Sequence, residues 1–177
     1  MNTKLSLKEL NRISVEEFKE TKKLPLIIVL DNIRSMNNVG SVFRTSDAFV
    51  VEKIYLCGIT PKPPHREINK TALGATETVD WEYCSTTKEA IDDLREKGYE
   101  IYSIEQAEGS IKLNEFHPKA DLKIAIIMGN EVDGVDQDII NNSDGVIEIP
   151  QYGTKHSLNI SVTTGIVVWH LFNSLKE

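Results

Sequence analysis

The stretch Leu26-Ile27-Ile28-Val29-Leu30, followed at once by Asp31-Asn32-Ile33-Arg34-Ser35-Met36-Asn37-Asn38-Val39-Gly40-Ser41-Val42-Phe43-Arg44-Thr45, decides how this chain is built. The apolar run is short, rich in β-branched residues and bounded by Pro25 and Asp31. Those features predict a strand buried on both faces, the kind found in parallel sheets covered by helices on each side. Beyond it the period changes. Val39, Val42, Phe43, Ser46, Phe49 and Val50 recur at the spacing of one helical face. At 100° per residue Arg44 lies nearly opposite that stripe, beside Ser41, Thr45 and Ala48, so one guanidinium stands among small residues. The plainest alternative for Asn37 or Asn38 is that it does no more than cap this helix.

Working outward, the same alternation repeats. Residues 53–57, 100–104, 124–128 and 146–149 read as further strands, and the alternating residues 78–83 as a weaker one. Thr86-x-x-Glu89 opens a helix that Gly98 closes. Residues 1–23 hold two capping-box patterns, Ser6-x-x-Glu9 and Ser14-x-x-Glu17, which predict one or two short helices ahead of the main domain at 24–177. The expectation is therefore an α/β fold with a mostly parallel sheet flanked by helices, with ligands beyond the carboxyl ends of its strands.

Composition narrows the function. The 177 residues suit one domain with a proper apolar core. Two cysteines, Cys57 and Cys84, are too few for a disulfide framework or a four-ligand zinc site, and no metal is expected. No apolar run reaches the roughly 18 to 20 residues that cross a bilayer. The opening residues lack a secretory apolar segment, so a soluble cytoplasmic protein without membrane attachment is expected. The net charge of −7 opposes a simple electrostatic nucleic-acid binder, because phosphate contacts need Lys and Arg.

Two more strand-end segments carry chemistry. Met128-Gly129-Asn130-Glu131-Val132-Asp133-Gly134-Val135 places a glycine directly after a buried strand, where backbone can approach a ligand closely. It matches neither G-x-G-x-x-G nor G-x-x-x-x-G-K-[ST], which removes support for a dinucleotide fold and a P-loop. Ile149-Pro150-Gln151-Tyr152-Gly153-Thr154-Lys155-His156-Ser157-Leu158-Asn159-Ile160-Ser161 joins a short strand to the last helix, where Ser157 and Asn159 are placed to cap amides. The helix that follows, Ile166-Val167-Val168-Trp169-His170-Leu171-Phe172, is apolar almost all round and needs cover on more than one side, which implies a homodimer. His170 within it reads as a core or interface histidine.

Together these segments resemble the SpoU (TrmH-type) branch of the SPOUT RNA methyltransferases. The resemblance rests on Asn38 through Thr45, Ile127 through Val135, and Ile149-Pro150 through Ser157-Leu158-Asn159-Ile160-Ser161, and runs from about residue 24 to the end. Thr60-Pro61-Lys62-Pro63-Pro64-His65 with Lys70-Thr71-Ala72-Leu73-Gly74-Ala75 is similar to the family's segment after the second strand.

The resemblance implies methyl transfer from S-adenosylmethionine to a ribose 2′-hydroxyl in tRNA or rRNA; tRNA is the preferred expectation because no separate RNA-binding domain of the kind carried by several rRNA-modifying relatives is read here. It implies a C-terminal deep trefoil knot, a homodimer packed through the first and last helices of the motif set, and a cofactor held at the positions matching Gly129, Ile149 and Leu158. Asn38, Arg44, Glu131, Ser157 and Asn159 match the family's polar active-site positions. A guanidinium is a poor proton acceptor, so Arg44 is read as binding phosphate and stabilising developing alkoxide charge. Residues 131–148 hold six acidic and no basic side chains. Residues 1–23 are net positive and Lys62, Arg66 and Lys70 cluster beside His65, so RNA phosphates are expected at the latter two places. The alternative reading is a non-catalytic RNA-binding or assembly factor of the same fold.

Overall fold

A computed structural model describes residues 1–6 and 8–175. Leu7, inside the first capping-box pattern, and the last two residues of the expected main domain lie outside the described residues. The chain runs α1 (Val15–Glu20), β1 (Leu24–Asp31), α2 (Met36–Ala48), β2 (Val51–Cys57), α3 (Arg66–Ala72), α4 (Ala75–Thr78), β3 (Asp80–Cys84), α5 (Thr87–Glu96), β4 (Glu100–Ile104), β5 (Ile111–Lys112), a 3-10 turn (Leu113–Glu115), β6 (Ile124–Met128), α6 (Gln137–Asn141), β7 (Gly145–Glu148) and α7 (Ile160–Leu175).

The strands form one parallel sheet in the order β3-β2-β1-β6-β4-β7-β5. Residues 26–30 of β1 are almost without exposure, as a strand covered on both faces requires. Alternate strand residues feed two cores. Leu26, Ile28 and Leu30 join Val39, Phe43, Ile68, Val168 and Leu171 on the face covered by α2, α3 and α7, whereas Ile27, Val29, Tyr55 and Ile127 join Ile91 and Leu94 of α5 on the other. Cys57 is buried in that second core and Cys84 is its partner in register on β3; both are free thiols.

Several local expectations need correction. α2 is capped by Ser35, whose side chain accepts from the Asn38 N–H, so Asn37 and Asn38 sit in the first turn with their side chains released from capping. The apolar stripe buries Val39, Val42, Phe43 and Ser46 inside α2, but Phe49 is the C-cap and Val50 lies beyond it at φ +48. Ser14 and Glu17 form a complete capping box on α1, whereas the Ser6–Glu9 pair closes only a turn. Phe18 of α1 packs into the main core beside Leu24. The short helices α3 and α4 and strand β5 carried too little periodicity to be read in advance.

Candidate active site

β6 delivers the chain to the carboxyl edge of the sheet, and residues 129–135 turn there under tight local constraint. Asn130 and Gly134 exchange backbone hydrogen bonds of 3.1 Å. The Asn130 side chain accepts from Val132 and Asp133 N–H, both at 2.9 Å, and donates to Gly134 O. Glu105 at the end of β4 accepts from Val135 N–H at 3.1 Å. A Cβ on Gly129 would lie 2.1 Å from Gly134 C and 2.2 Å from Val135 N, so the close approach that this glycine permits is made by the loop's own backbone.

The loop projects Glu131 onto the N-terminus of α2. Its Oε2 accepts from Arg34 N–H at 3.0 Å, and its Oε1 accepts from Ser35 N–H at 3.1 Å and from Asn38 Nδ2 at 2.9 Å. A carboxylate at a helix N-terminus satisfies amides that the helix leaves open and meets the positive end of its dipole. Burial would raise the Glu131 carboxyl, but the Arg34 amide, the Asn38 side chain, its own N–H and the Ser35 amide outweigh that and hold it below 4.5.

The direction of the next bonds follows from that charge. An ionised carboxylate only accepts, so Asn38 must turn its NH2 toward Glu131 and its carbonyl away. That carbonyl accepts from Asn159 Nδ2 at 3.3 Å. Asn159 in turn uses its own carbonyl to accept from Ser161 N–H at 2.9 Å and from Ser161 Oγ at 2.6 Å, which caps α7. Asn159 is thus both the cap expected of it and a link to Asn38. One hydrogen-bond chain runs from the N-terminus of α7 through Asn159 and Asn38 to Glu131 and the N-terminus of α2.

Beside this chain lies a cleft of about 710 Å³. Gly129, Ile149 and Leu158 all line it, as do Glu131, Ser157 and Asn159. Ile104 and Met128 add apolar wall, while Glu105, Gln106 and Asp133 add polar atoms, the mixture that small-molecule sites commonly show. Gln106 Nε2 donates to His156 O at 2.6 Å and so ties the 149–159 loop to the β4 side of the cleft.

The remaining expected residues stand apart from the hydrogen-bond chain. Arg44 is exposed on α2 and makes no hydrogen bond or ion pair among the described residues. Ser157 is exposed at the cleft rim. Lys62, Arg66 and Lys70 are exposed in and around α3; the Lys62 ammonium lies 3.9 Å from the Tyr83 ring centroid, and Lys70 is 3.9 Å from Glu67. His170 is partly buried and bonds to Phe116 O at 2.7 Å. Among the described residues no group of His, Cys, Asp and Glu is placed to hold a metal ion, and no helix is long and apolar enough to cross a membrane. Sequence reasoning missed Ser35, Asn130, Glu105 and Gln106. Asn130 was the most legible, since an Asn four residues before a glycine often builds its own turn.

Residues 25–169 match the SpoU rRNA Methylase family. An uncharacterized tRNA/rRNA methyltransferase of Borreliella burgdorferi is 32% identical over 178 residues, spanning 99% of this chain and 75% of that protein. A 23S rRNA (guanosine-2′-O-)-methyltransferase of Neisseria meningitidis serogroup B is 31% identical over 163 residues, spanning 89% of this chain and 62% of that protein. The chain therefore covers less than two thirds of that second relative. The crystal structure of a TrmH/SpoU tRNA modifying enzyme of A. aeolicus superposes with a TM-score of 0.79 at 24% identity, over 90% of this chain and 81% of the other, a likeness of fold.

Proposed function

The chain belongs to the SpoU rRNA methylase family, and from that membership we propose that it transfers a methyl group from S-adenosylmethionine to a ribose 2′-hydroxyl of cytoplasmic RNA, with tRNA preferred over rRNA. The observation that carries this reading is the convergence of three strand-end segments. The Glu131–Asn38–Asn159 chain stands at the rim of the cleft that Gly129, Ile149 and Leu158 line.

The cleft fits the methyl donor. Its volume of about 710 Å³ suits a nucleoside-sized ligand, its apolar wall of Ile104, Met128, Ile149 and Leu158 suits a purine, and Glu105 and Asp133 suit a ribose diol and an ammonium. When bound, S-adenosylmethionine supplies an electrophilic methyl on a sulfonium, so in-line alignment of the hydroxyl is the main demand on the protein. Asn38 and Asn159 orient the ribose from a fixed hydrogen-bond chain. Glu131 has both oxygens engaged and acts as a positioning residue that locks α2 to the 129–135 loop. Arg44, with no partner among the described residues, binds the neighbouring phosphate and stabilises the alkoxide charge as the hydroxyl proton passes to water, the C–S bond of the donor breaking as the O–C bond forms. Ser157, at the rim, orients the incoming nucleotide.

The reading extends to assembly. Val162, Ile166 and Trp169 stand 49%, 38% and 56% exposed along α7, at spacings that make one apolar stripe. Cover by a second copy removes that stripe from water, and supports a homodimer through α2 and α7. The return of β6 to the middle of the sheet, followed by packing of α7 on α2, supports the C-terminal trefoil knot. Lys62, Arg66 and Lys70 and the basic residues of 1–23 carry RNA phosphates, whereas Glu131 and Asp133 of the acidic 131–148 stretch stand at the cleft itself. The test is incubation of the full chain with methyl-labelled S-adenosylmethionine and unmodified tRNA or rRNA. Label recovered in 2′-O-methylnucleosides of tRNA is expected; no transfer to either RNA contradicts the reading.

A further inference from the structure

Three side chains at the carboxyl edge of the sheet lie outside the core and the cleft, and only Lys62 among them has been given a role above, in binding RNA phosphate. Ile59 is 64% exposed, Tyr83 is 41% exposed, and Lys62 places its ammonium over the Tyr83 ring. Register puts Tyr83 opposite Leu56, and Leu56 belongs to the core under α2 and α3, so the Tyr83 ring is on that face of the edge strand. Glu82 points to the other face, where it pairs with Lys53 at 3.2 Å. Lys62 reaches this face through its contact with Tyr83, and the exposed Arg66 and Lys70 belong to α3, which covers it.

The group is held by hydrogen bonds from several elements. Thr60 is buried; its hydroxyl donates to Leu30 O at 3.0 Å and accepts from Ile33 N–H at 3.0 Å. Asn32 Oδ1 accepts from Ile59 N–H at 3.2 Å, and Tyr83 donates its hydroxyl to Gly58 O at 3.2 Å. Gly58, at φ +61, would place a Cβ 2.1 Å from Asn32 Oδ1, so this turn requires glycine. The next two amides after Ile33, those of Arg34 and Ser35, are the ones that hold Glu131. Residues 33–35 thus fix the distance between this loop and the candidate active site. Strands β3 and β6 are three spacings apart in the sheet, or about 15 Å at about 4.8 Å per strand.

We infer that Tyr83, Ile59 and Lys62 form a platform on which an unpaired nucleotide of the RNA substrate stacks, a few positions along the strand from the ribose that is methylated. Every base offers a π-face to an exposed aromatic ring, and sequence-tolerant binding of single strands combines such rings with neighbouring cations. Lys62 belongs to both halves of that arrangement: its ammonium covers the Tyr83 ring in the free protein, and on binding it moves to the phosphate while the base takes its place against Tyr83 and Ile59. This inference rests on the RNA methyltransferase reading and adds a second point of contact to it.

The test compares the full chain with Tyr83→Ala, Tyr83→Phe and Tyr83→Trp, using a labelled single-stranded uridine 12-mer and a blunt RNA duplex of equal length in anisotropy titrations. Tyr83→Ala is expected to weaken 12-mer binding by about tenfold. The salt slope should stay unchanged, because no charge is removed. Phe and Trp are expected to hold near wild-type affinity, and duplex binding is expected to change less than twofold. Calorimetry with S-adenosylmethionine serves as the folding control. Equal 12-mer affinity for Tyr83→Ala and wild type overturns the inference. So does a loss in Tyr83→Phe as large as in Tyr83→Ala, which would assign the effect to the Gly58 anchor. If the wild type methylates no RNA, the underlying reading fails; if it methylates RNA and Tyr83→Ala binds as well, only the platform fails.

Discussion

Asn38 Nδ2 lies 2.9 Å from Glu131 Oε1, a bond that joins the first turn of α2 to the loop after β6 across 93 residues of sequence. Because Glu131 also takes the Arg34 and Ser35 amides, it spans the open end of the helix that presents both Asn38 and Arg44. Replacing it by Gln turns one of its two accepting oxygens into a donor that faces an N–H already donating there. Glu131→Gln is expected to lower stability by about 1 kcal/mol, the scale of a partly exposed charge-assisted bond, and to reduce turnover by more than its effect on methyl-donor affinity. Urea unfolding and single-turnover kinetics on the same preparation check both parts.

The same carboxylate gives a pH dependence of known sign. Its folded value is depressed below 4.5, so the unfolded chain binds this proton more readily than the folded one. The contribution is therefore complete above the unfolded value and is lost as pH falls through the folded value. Wild type is expected to lose more stability than Glu131→Gln between neutral pH and the acid limb of a urea midpoint series. Parallel curves for the two proteins would contradict the assignment.

Arg44 makes no hydrogen bond or ion pair among the described residues, so removing it leaves folding intact. Arg44→Ala is expected to keep its unfolding free energy within about 0.5 kcal/mol of wild type and to lose about 100-fold or more in turnover. Arg44→Lys separates two roles. Near-total loss at every pH supports bidentate positioning of a phosphate, whereas recovery of turnover at raised pH supports a titrating base.

Neutralising Lys62, Arg66 and Lys70 together is expected to weaken RNA binding and to flatten its dependence on salt, by about 0.7 to 0.9 in log–log slope for each phosphate that is no longer neutralised. Affinity for S-adenosylmethionine should not change. Titrations at two or more salt concentrations check this, and an unchanged slope removes this loop from the RNA footprint.

Trp169→Glu places a charge on the most exposed residue of the apolar stripe on α7. Sedimentation is expected to show a dimer for wild type and a monomer for the variant, with catalytic loss in the monomer. A wild-type monomer at micromolar concentration contradicts the proposed assembly.

Much of the fold was legible because burial on both faces leaves a simple mark. Residues 26–30 and 124–128 read as strands and lie in β1 and β6, since short continuous apolar runs bounded by turn signals fit a strand covered on both faces, and 100–104 was legible as β4 despite Glu100 and Ser103. The α5 start was equally readable: Thr86 accepts from Glu89 N–H as its spacing implies. The sheet order was not readable, because placing β6 between β1 and β4 is a long-range pairing that no local pattern encodes. The site was legible as residue types and not as geometry. Gly129, Ile149 and Leu158 do share one cleft, and Asn38, Glu131 and Asn159 do form one hydrogen-bond chain. Yet the α2 cap went to Ser35, ahead of both asparagines, because only the fold shows that Glu131 engages Asn38 and leaves the capping to a neighbour.

The central claim is methyl transfer to a ribose oxygen, and its most direct measurement is mass spectrometry of nucleosides. Unmodified tRNA and rRNA are incubated with the full chain and methyl-labelled S-adenosylmethionine, then digested completely. The account predicts label in 2′-O-methylnucleosides of tRNA with wild type and its near absence with Arg44→Ala; label on a base, or no label despite bound methyl donor, would contradict it.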